Sequence, residues 1–587
     1  MHARISLRDG EFDAVTHSAD LGGPGNPSDQ FKDTVSGISV LIHGSPRISA
    51  NPISNADRPV AEQVFQLFRA NGRDALASIG GQFSLCIIDP GQRYVLCAID
   101  RIGRSTLYAR ERDDGIAVAT HLSSITGQAD FQPELNHQSV YNYVFFHMIP
   151  SPDCAYAGVS KLQAGQCLEW RDGKTSTMHY WIPEFSEPTS MDWDAGIAEL
   201  HQLMGDAVAF EAGDNAATTG AFLSGGLDSS TVAGKLAQVF PEQANTFSIG
   251  FSAEGYDEIE YARIASKHFG THAHEYYVTP TDVADFFEKI AEVYDEPFGN
   301  SSAVPTYFCA KFARENGIER LLGGDGGDEL FAGNTRYARQ TVFEKYARVP
   351  AWLRGGLLNP LFDRDVNFPF PLSKVGSYIR QANIPLPDRL QSYNLLERVG
   401  VDTVFSPDFL ADIDSDAPYR IMRDTYQRPK DASAINRMLY LDWQLTLADN
   451  DLRKVATMCE LADIDVRFPL LSDDIVDFST GIASNDKLRA KQLRYFYKRA
   501  VQGYLPDAIL NKSKHGFGLP FGVWLRDDPR LREIAVESLK KLDQRGLFAE
   551  GFIPHIQDLH QNEHASFYGE LIWILIILER WMENHGV

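Results

Sequence analysis

The sequence predicts an α/β protein in two parts: a β-rich N-terminal part, then a part built on a parallel sheet that ends in a helical segment. Three observations carry this. Short β-like runs punctuated by Gly, Pro and Asp fill the region up to about residue 185. From Asp192 onward strand-like and helix-like segments alternate, the pattern of a parallel sheet covered on both faces. Two glycine-rich turns, each directly behind a strand-like run, lie about a hundred residues apart in the alternating part.

In the first part the strand-like runs are 38–42, 81–88, 93–99 and 115–119, and residues 59–70 and 138–146 read as helices. The acidic, proline-bearing stretch 182–188 reads as an interdomain linker. In the second part the expected strands are 221–223, 245–249, 274–278 and 320–322, with helices at 258–269 and 304–315 between them. Beyond Pro350 the pattern is mostly helical. The expected domains are therefore 1–185 and 192–587.

Composition narrows the function classes. A chain of 587 residues is too long for one core. A formal net charge of -24 argues against nucleic acid as a main partner, because phosphate backbones need basic surface. The longest apolar run, 571–578, is too short to span a membrane. Six cysteines show no CxxC pair and no metal-ligand spacing, and several lie in apolar runs as buried thiols do. The N-terminus lacks a signal-peptide core, so a reduced, cytoplasmic protein is expected.

The first glycine turn is Phe222-Leu223-Ser224-Gly225-Gly226-Leu227-Asp228-Ser229-Ser230, with an amphipathic segment following at 231–240. Strand, turn and helix N-terminus gather free backbone N–H groups and the positive end of a helix dipole at one point. Ser224, Ser229 and Ser230 add hydroxyls, so an anion belongs there, most naturally a phosphate chain. Asp228 would repel phosphate unless a cation lay between them, which implies Mg²⁺. The run lacks the Lys and the spacing of a Walker loop.

The second turn, Leu322-Gly323-Gly324-Asp325-Gly326-Gly327-Asp328-Glu329-Leu330-Phe331, packs four glycines and three carboxylates into seven positions. Alone it could be a solvated acidic turn; behind a strand it makes a ligand loop. Asp228 and Asp328 could then hold one Mg²⁺ between them over the phosphate chain.

The first run resembles the SGGxDS signature of the ATP-pyrophosphatase (PP-loop) superfamily. Together the two runs resemble the synthetase domain of the asparagine synthetase family, class B (glutamine-hydrolysing) type. Matching stretches are Tyr256-Asp257-Glu258, Tyr294-Asp295-Glu296-Pro297, Glu460-Leu461-Ala462, Asp465-Val466-Arg467-Phe468-Pro469 and Lys514-His515-Gly516-Phe517-Gly518. The resemblance implies a PP-loop doubly wound sheet in the second part and an Ntn-hydrolase-like sandwich in the first. It also implies the reaction: MgATP adenylates a carboxylate, and an amine or ammonia attacks the acyl-adenylate, releasing AMP and pyrophosphate.

Carried over, Leu223, Ser224, Gly225, Gly226, Asp228, Ser229 and Ser230 would cradle ATP, and Ile249 would meet the adenine. Gly323 and Gly324 would line the far side, and Asp325 would face the reacting carbonyl as a general base or serve only as a turn carboxylate. The family's active-site Lys falls on Arg494, with Lys498 four residues on. Lys498 is the expected transition-state cation with Arg494 supporting, and Lys454 is a third choice beside a surface salt-bridging role.

The first part departs from the family. The nucleophilic Cys after the initiator Met is replaced by His2, no cysteine precedes Cys86, and the glutamine-holding RGPD and NGE motifs are missing. Yet Gly80-Gly81-Gln82-Phe83 and the stretch 100–108 resemble that domain's core, so a degenerate glutaminase domain is expected. Nitrogen must then come from ammonia or from a substrate amine. Three readings stay open: an amidating ligase, an intramolecular amide-forming cyclase of the lasso-peptide or β-lactam synthetase type, and a non-catalytic ATP-binding scaffold. The carboxylate partner would be a small molecule or a peptide, with a precursor peptide or partner protein expected of a cyclase.

Overall fold

The computed structural model describes residues 1–8, 11–17, 28–48, 58–253, 255–347, 349–362, 372–512 and 518–587. Lys514 to Phe517 of the last matching stretch, and the side chain of His2, lie outside the described residues.

The N-terminal part is a sandwich of two antiparallel sheets. One orders its strands β2-β1-β8-β7-β9, from β1 (His2–Arg8), β2 (Glu11–His17), β7 (Tyr108–Arg112), β8 (Gly115–Ala119) and β9 (Val159–Lys161). The other runs β11-β10-β6-β5-β4-β3, from β3 (Ser28–Lys32), β4 (Ser39–Ile48), β5 (Ile79–Asp89), β6 (Tyr94–Ile99), β10 (Gln166–Arg171) and β11 (Lys174–His179). Alternation along β5 sends Cys86 and Ile88 into the inter-sheet core with Ile5, Cys97 and Val118. Leu85 and Ile87 point the other way, against Val64 and Phe68 of α1 (Val60–Asn71).

The C-terminal part carries a parallel sheet ordered β14-β13-β12-β15-β16. Its strands are β12 (Thr219–Phe222), β13 (Asn245–Phe251), β14 (His272–Val278), β15 (Arg320–Leu322) and β16 (Asp465–Arg467). Every neighbouring pair is parallel. The chain leaves β12 toward β13 on one side and returns to β15 on the other, so the order reverses at β12/β15. In a doubly wound sheet, that reversal opens a crevice at the carboxyl ends of the strands. Strand β16 arises within the region expected to be helical; its burial beside β15 overrides local pattern.

Elsewhere the helices α2 (His137–Phe146), α3 (Trp193–Ala212), α4 (Leu227–Val239), α5 (Ile259–Phe269) and α6 (Ala303–Glu315) precede a mostly helical C-terminal region. That region includes α7 (Ala434–Asp442), α8 (Arg453–Leu461), α9 (Tyr495–Ala500) and α10 (Ala565–His585). Between α7 and α8 the residues Trp443–Leu452 wind as a π-helix, so one long helix carries a widened turn at its centre. Among the described residues, no helix is long and apolar enough to cross a membrane.

The segment 182–188, expected to be a linker, is docked rather than loose. Glu187 accepts hydrogen bonds from Asn436 Nδ2 at 2.9 Å and from the Ser484 amide at 2.8 Å. The two parts also share a buried charge cluster. Lys161 of β9 donates to Glu296 at 2.6 Å, Arg453 of α8 donates at 3.2 Å, and the Ala155 amide caps the second carboxylate oxygen at 3.0 Å. Burial alone would push Glu296 up, but Lys161 and Arg453 hold it below the usual carboxylate range. Removing Glu296 strands two buried cations. Glu296→Gln is expected to cost about 3–5 kcal/mol, seen as an earlier urea midpoint; an unchanged midpoint would show the cluster to be energetically idle.

Candidate active site

Both glycine turns sit in the crevice opened by the strand order, one after β12 and the other after β15. The Leu223 amide donates to Phe247 O at 2.8 Å, and Ser248 Oγ donates to Leu223 O at 2.7 Å, extending the β12–β13 ladder into the turn. The turn then closes on itself: Ser229 Oγ accepts from the Ser224 amide at 3.2 Å and shares a hydrogen bond with Ser224 Oγ at 3.0 Å. Helix α4 starts at once, with Gly226 extended at the N-cap position and Asp228 in the first turn. The first-turn N–H groups of α4 therefore open toward the crevice.

A pocket of about 530 Å³ fills this crevice. Leu223, Ser224, Gly226, Asp228 and Ser229 line it from the first turn, and Gly324, Asp325 and Asp328 from the second. Ile249 lies on the wall beside Phe247, on the side expected for the base. Gly225, Ser230 and Gly323 do not line it. Gly225 has φ +70° and abuts Tyr261 and Ala262 of α5, Ser230 is fully buried, and Gly323 packs against Phe468. These three shape the turns rather than face the cavity.

Both expected cations, Arg494 and Lys498, line the pocket. Arg494 precedes α9 in a left-handed conformation, φ 53°, and its amide donates to Ala332 O at 3.2 Å. From there its guanidinium grips Asp228 with two hydrogen bonds, 2.6 and 2.7 Å, and also donates to Asp328 Oδ1. The two carboxylates expected to share a magnesium ion thus share a guanidinium. Lys498 lines the same pocket without a carboxylate partner among the described residues, and burial beside Arg494 lowers its pKa. Arg494 is thus committed to the two carboxylates, and Lys498 lies in the pocket beside it.

Lys454 is not a surface residue. Its side chain is only 12% exposed, lines the pocket and donates to Asp451 at 2.8 Å. Sequence reasoning missed Asp451, Lys512 and Glu258 as pocket residues. Lys512 donates to Glu258 at 2.9 Å, and the place of Glu258 within the matching Tyr256-Asp257-Glu258 stretch was the available signal. Asp325 has its carboxyl pushed up to about 6 by burial, Asp451 and Asp228 adding to the rise while Lys454 opposes it. A carboxyl poised there can exchange a proton near neutral pH.

Comparison with known proteins gives the family. The asparagine synthase family model matches residues 199–583, and a glutamine amidotransferase domain model matches residues 53–181. Asparagine synthetase [glutamine-hydrolyzing] 1 of Bacillus subtilis is 25% identical over 528 residues, spanning 89% of this chain and 80% of that protein. Asparagine synthetase [glutamine-hydrolyzing] 3 of the same species is 21% identical over 465 residues, 75% of this chain and 67% of that one. Among solved structures, glutamine phosphoribosylpyrophosphate amidotransferase from B. subtilis aligns at 12% identity with a TM-score of 0.19, covering 55% of this chain and 75% of that one. With the asparagine synthase match spanning well over half of its length, the chain belongs to the asparagine synthase family.

Proposed function

We propose that this member of a family of ATP-dependent amide ligases activates a carboxylate as its acyl-adenylate and passes it to an amine or to ammonia, releasing AMP and pyrophosphate. The observation that supports this most is the meeting of the two glycine turns at the sheet's reversal point, with paired carboxylates and an α-helix N-terminus facing one pocket. In this reading the turn 224–229 holds the phosphates, Ile249 the adenine, and Asp325 takes the proton from the attacking amine. Arg494 and Lys498 face the charge that develops on the phosphoryl group and the acyl oxygen.

Asp228 and Asp328 fit a magnesium ion. Mg²⁺ takes hard oxygen donors, commonly one or two protein carboxylates completed by phosphates and water. Two carboxylates converge here, and among the described residues no group of three or more His, Cys, Asp or Glu forms an all-protein cage. Such an ion supplies charge neutralisation to the leaving pyrophosphate.

We further propose that residues 1–185 form a structural domain without glutaminase chemistry and that 192–587 is the ligase domain. Support comes from the cysteines: all six are buried free thiols, and Cys86 and Cys97 lie inside β5 and β6. Free thiols also suit a reducing compartment such as the cytoplasm.

Three measurements test this reading. Asp228→Asn and Asp328→Asn should each lower carboxylate-dependent pyrophosphate exchange into ATP by about 100-fold or more, with unchanged circular dichroism; near wild-type exchange would sink the carboxylate assignment. If Asp325 is the base, kcat/KM should fall below about pH 6, where its carboxyl becomes protonated, and rise to a plateau above. Asp325→Asn should remove that limb along with the rate, and a limb that persists belongs to another group. Glutamine should form no more product than an equal nitrogen dose of ammonium; a glutamine advantage would reveal a working glutaminase.

A further inference from the structure

A second cavity, of about 420 Å³, lies behind one wall of the nucleotide pocket. The wall is made of residues that face both ways. Thr335 lines the nucleotide pocket and Arg336 the second cavity. Along the π-helix, Thr446 and Asn450 face the second cavity, with Asp442 just before it, whereas Leu447 and Asp451, with Lys454 just after it, face the nucleotide pocket. Widened helical turns of this kind gather at functional sites because they aim side chains that a regular α-helix would bury.

The stretch Asn300-Ser301-Ser302, which follows the family-like Tyr294–Pro297 run, completes the wall. Ser302 lines the nucleotide pocket, and its Oγ donates to Asn300 Oδ1 at 2.5 Å. Asn300 Nδ2 in turn donates to Asn450 Oδ1 at 2.7 Å, on the far side. Ser301 Oγ donates to Glu570 at 2.8 Å, and Glu570 lines the second cavity. A hydrogen-bonded layer one side chain thick thus joins the two cavities.

The second cavity is largely apolar and aromatic, walled by Phe145, Phe146, Tyr393, Phe567 and Ile574. Its charges are not alike. Arg336 is neutralised within the protein by Asp442, to which its Nε donates at 3.1 Å. Glu570 has Ser301 but, among the described residues, no lysine or arginine beside it. Burial raises the Glu570 carboxyl above its usual range. A carboxylate set in an aromatic enclosure favours a cationic visitor, and aromatic faces add to that preference. It also repels the carboxylate substrate.

We propose that this cavity is the docking site for the amine substrate: an organic primary amine whose nitrogen donates to Glu570 and whose apolar, aromatic-sized body fills the space between the phenylalanines and Tyr393, before it passes the Asn300–Ser302 layer to meet Asp325. The proposal rests on the ligase reading and refines it, because free ammonia has no need of an apolar chamber within the usual size range of ligand pockets. An amine held at Ser301–Glu570 is one residue from Ser302, whose side chain faces the nucleotide pocket.

Calorimetric titration of the full chain tests it with three probes: phenethylamine, ammonium, and 3-phenylpropionate as the charge-reversed analogue. Saturable binding of phenethylamine but of neither other probe is expected. Glu570→Gln should weaken phenethylamine at least tenfold and leave ATP binding unchanged. Tyr393→Ala, at an exposed rim position, should also weaken phenethylamine, which keeps the test open should Glu570→Gln fail to fold. Absence of phenethylamine binding, equal binding of 3-phenylpropionate, or wild-type affinity in the variant that folds would overturn the subsite. ATP titration separates the two claims: intact ATP binding with no amine binding removes the subsite alone, whereas loss of both removes the ligase reading.

Discussion

The constraint on which the site depends is the close approach of two glycine turns that strand order makes neighbours. A Cβ on Gly324 would lie 2.6 Å from the Ser229 amide nitrogen, so the second turn touches the backbone that starts α4. A Cβ on Gly327 would fall 2.1 Å from Asp228 Oδ1, and one on Gly333 would fall 1.6 Å from Asp328 Oδ1. The volume that side chains would fill is occupied by the carboxylates themselves. Glycine at these positions is therefore a packing requirement of a site that crowds two acids together.

Crowded acids repel, and the structure answers with Arg494. Its left-handed backbone, hydrogen-bonded to the equally left-handed Ala332 at φ 61°, is a costly conformation for a residue with a side chain. What that geometry secures is a planar guanidinium that reaches both carboxylates at once, which a lysine ammonium could not do bidentately. Lys498, one turn further, is thereby left without a carboxylate partner among the described residues. A division of labour follows in which Arg494 holds the acids in place and Lys498 stays available to an anionic ligand.

Much of this was legible beforehand, and the rest was hidden for identifiable reasons. The strands expected at 245–249 and 320–322, with the helices between them, show in the apolar pattern because both faces of the inner strands are buried, whereas edge strand β14, expected at 274–278, is buried only at Val278. Strand β16 did not show, since three residues within helical surroundings carry no periodicity of their own. Asp228, Asp325 and Asp328 could be read from the two turns because glycine spacing marks a ligand loop. The pairing of Arg494 with both Asp228 and Asp328 could not, because its reach depends on a backbone conformation that its neighbours do not encode. Asp451 and Lys512 face the pocket only through tertiary placement, and no local motif announces them.

The N-terminal sandwich is tied physically to the parallel-sheet part. Tyr108 and Lys161, from β7 and β9, both reach Glu296, at 3.3 and 2.6 Å, and Glu296 anchors Arg453 at the start of α8. The next residue is Lys454, whose ammonium pairs with Asp451 in the nucleotide pocket and opposes the rise in the Asp325 pKa. The sheet that carries β7 and β9 thus fixes the end of the helix that sets the charge around the proposed base. Severing that anchor would free the first turn of α8 and shift Lys454 relative to Asp325 without touching a single atom of either. The sandwich is then coupled to the ligase site through orientation, and its loss would be felt as a change in proton affinity at Asp325 as much as in stability.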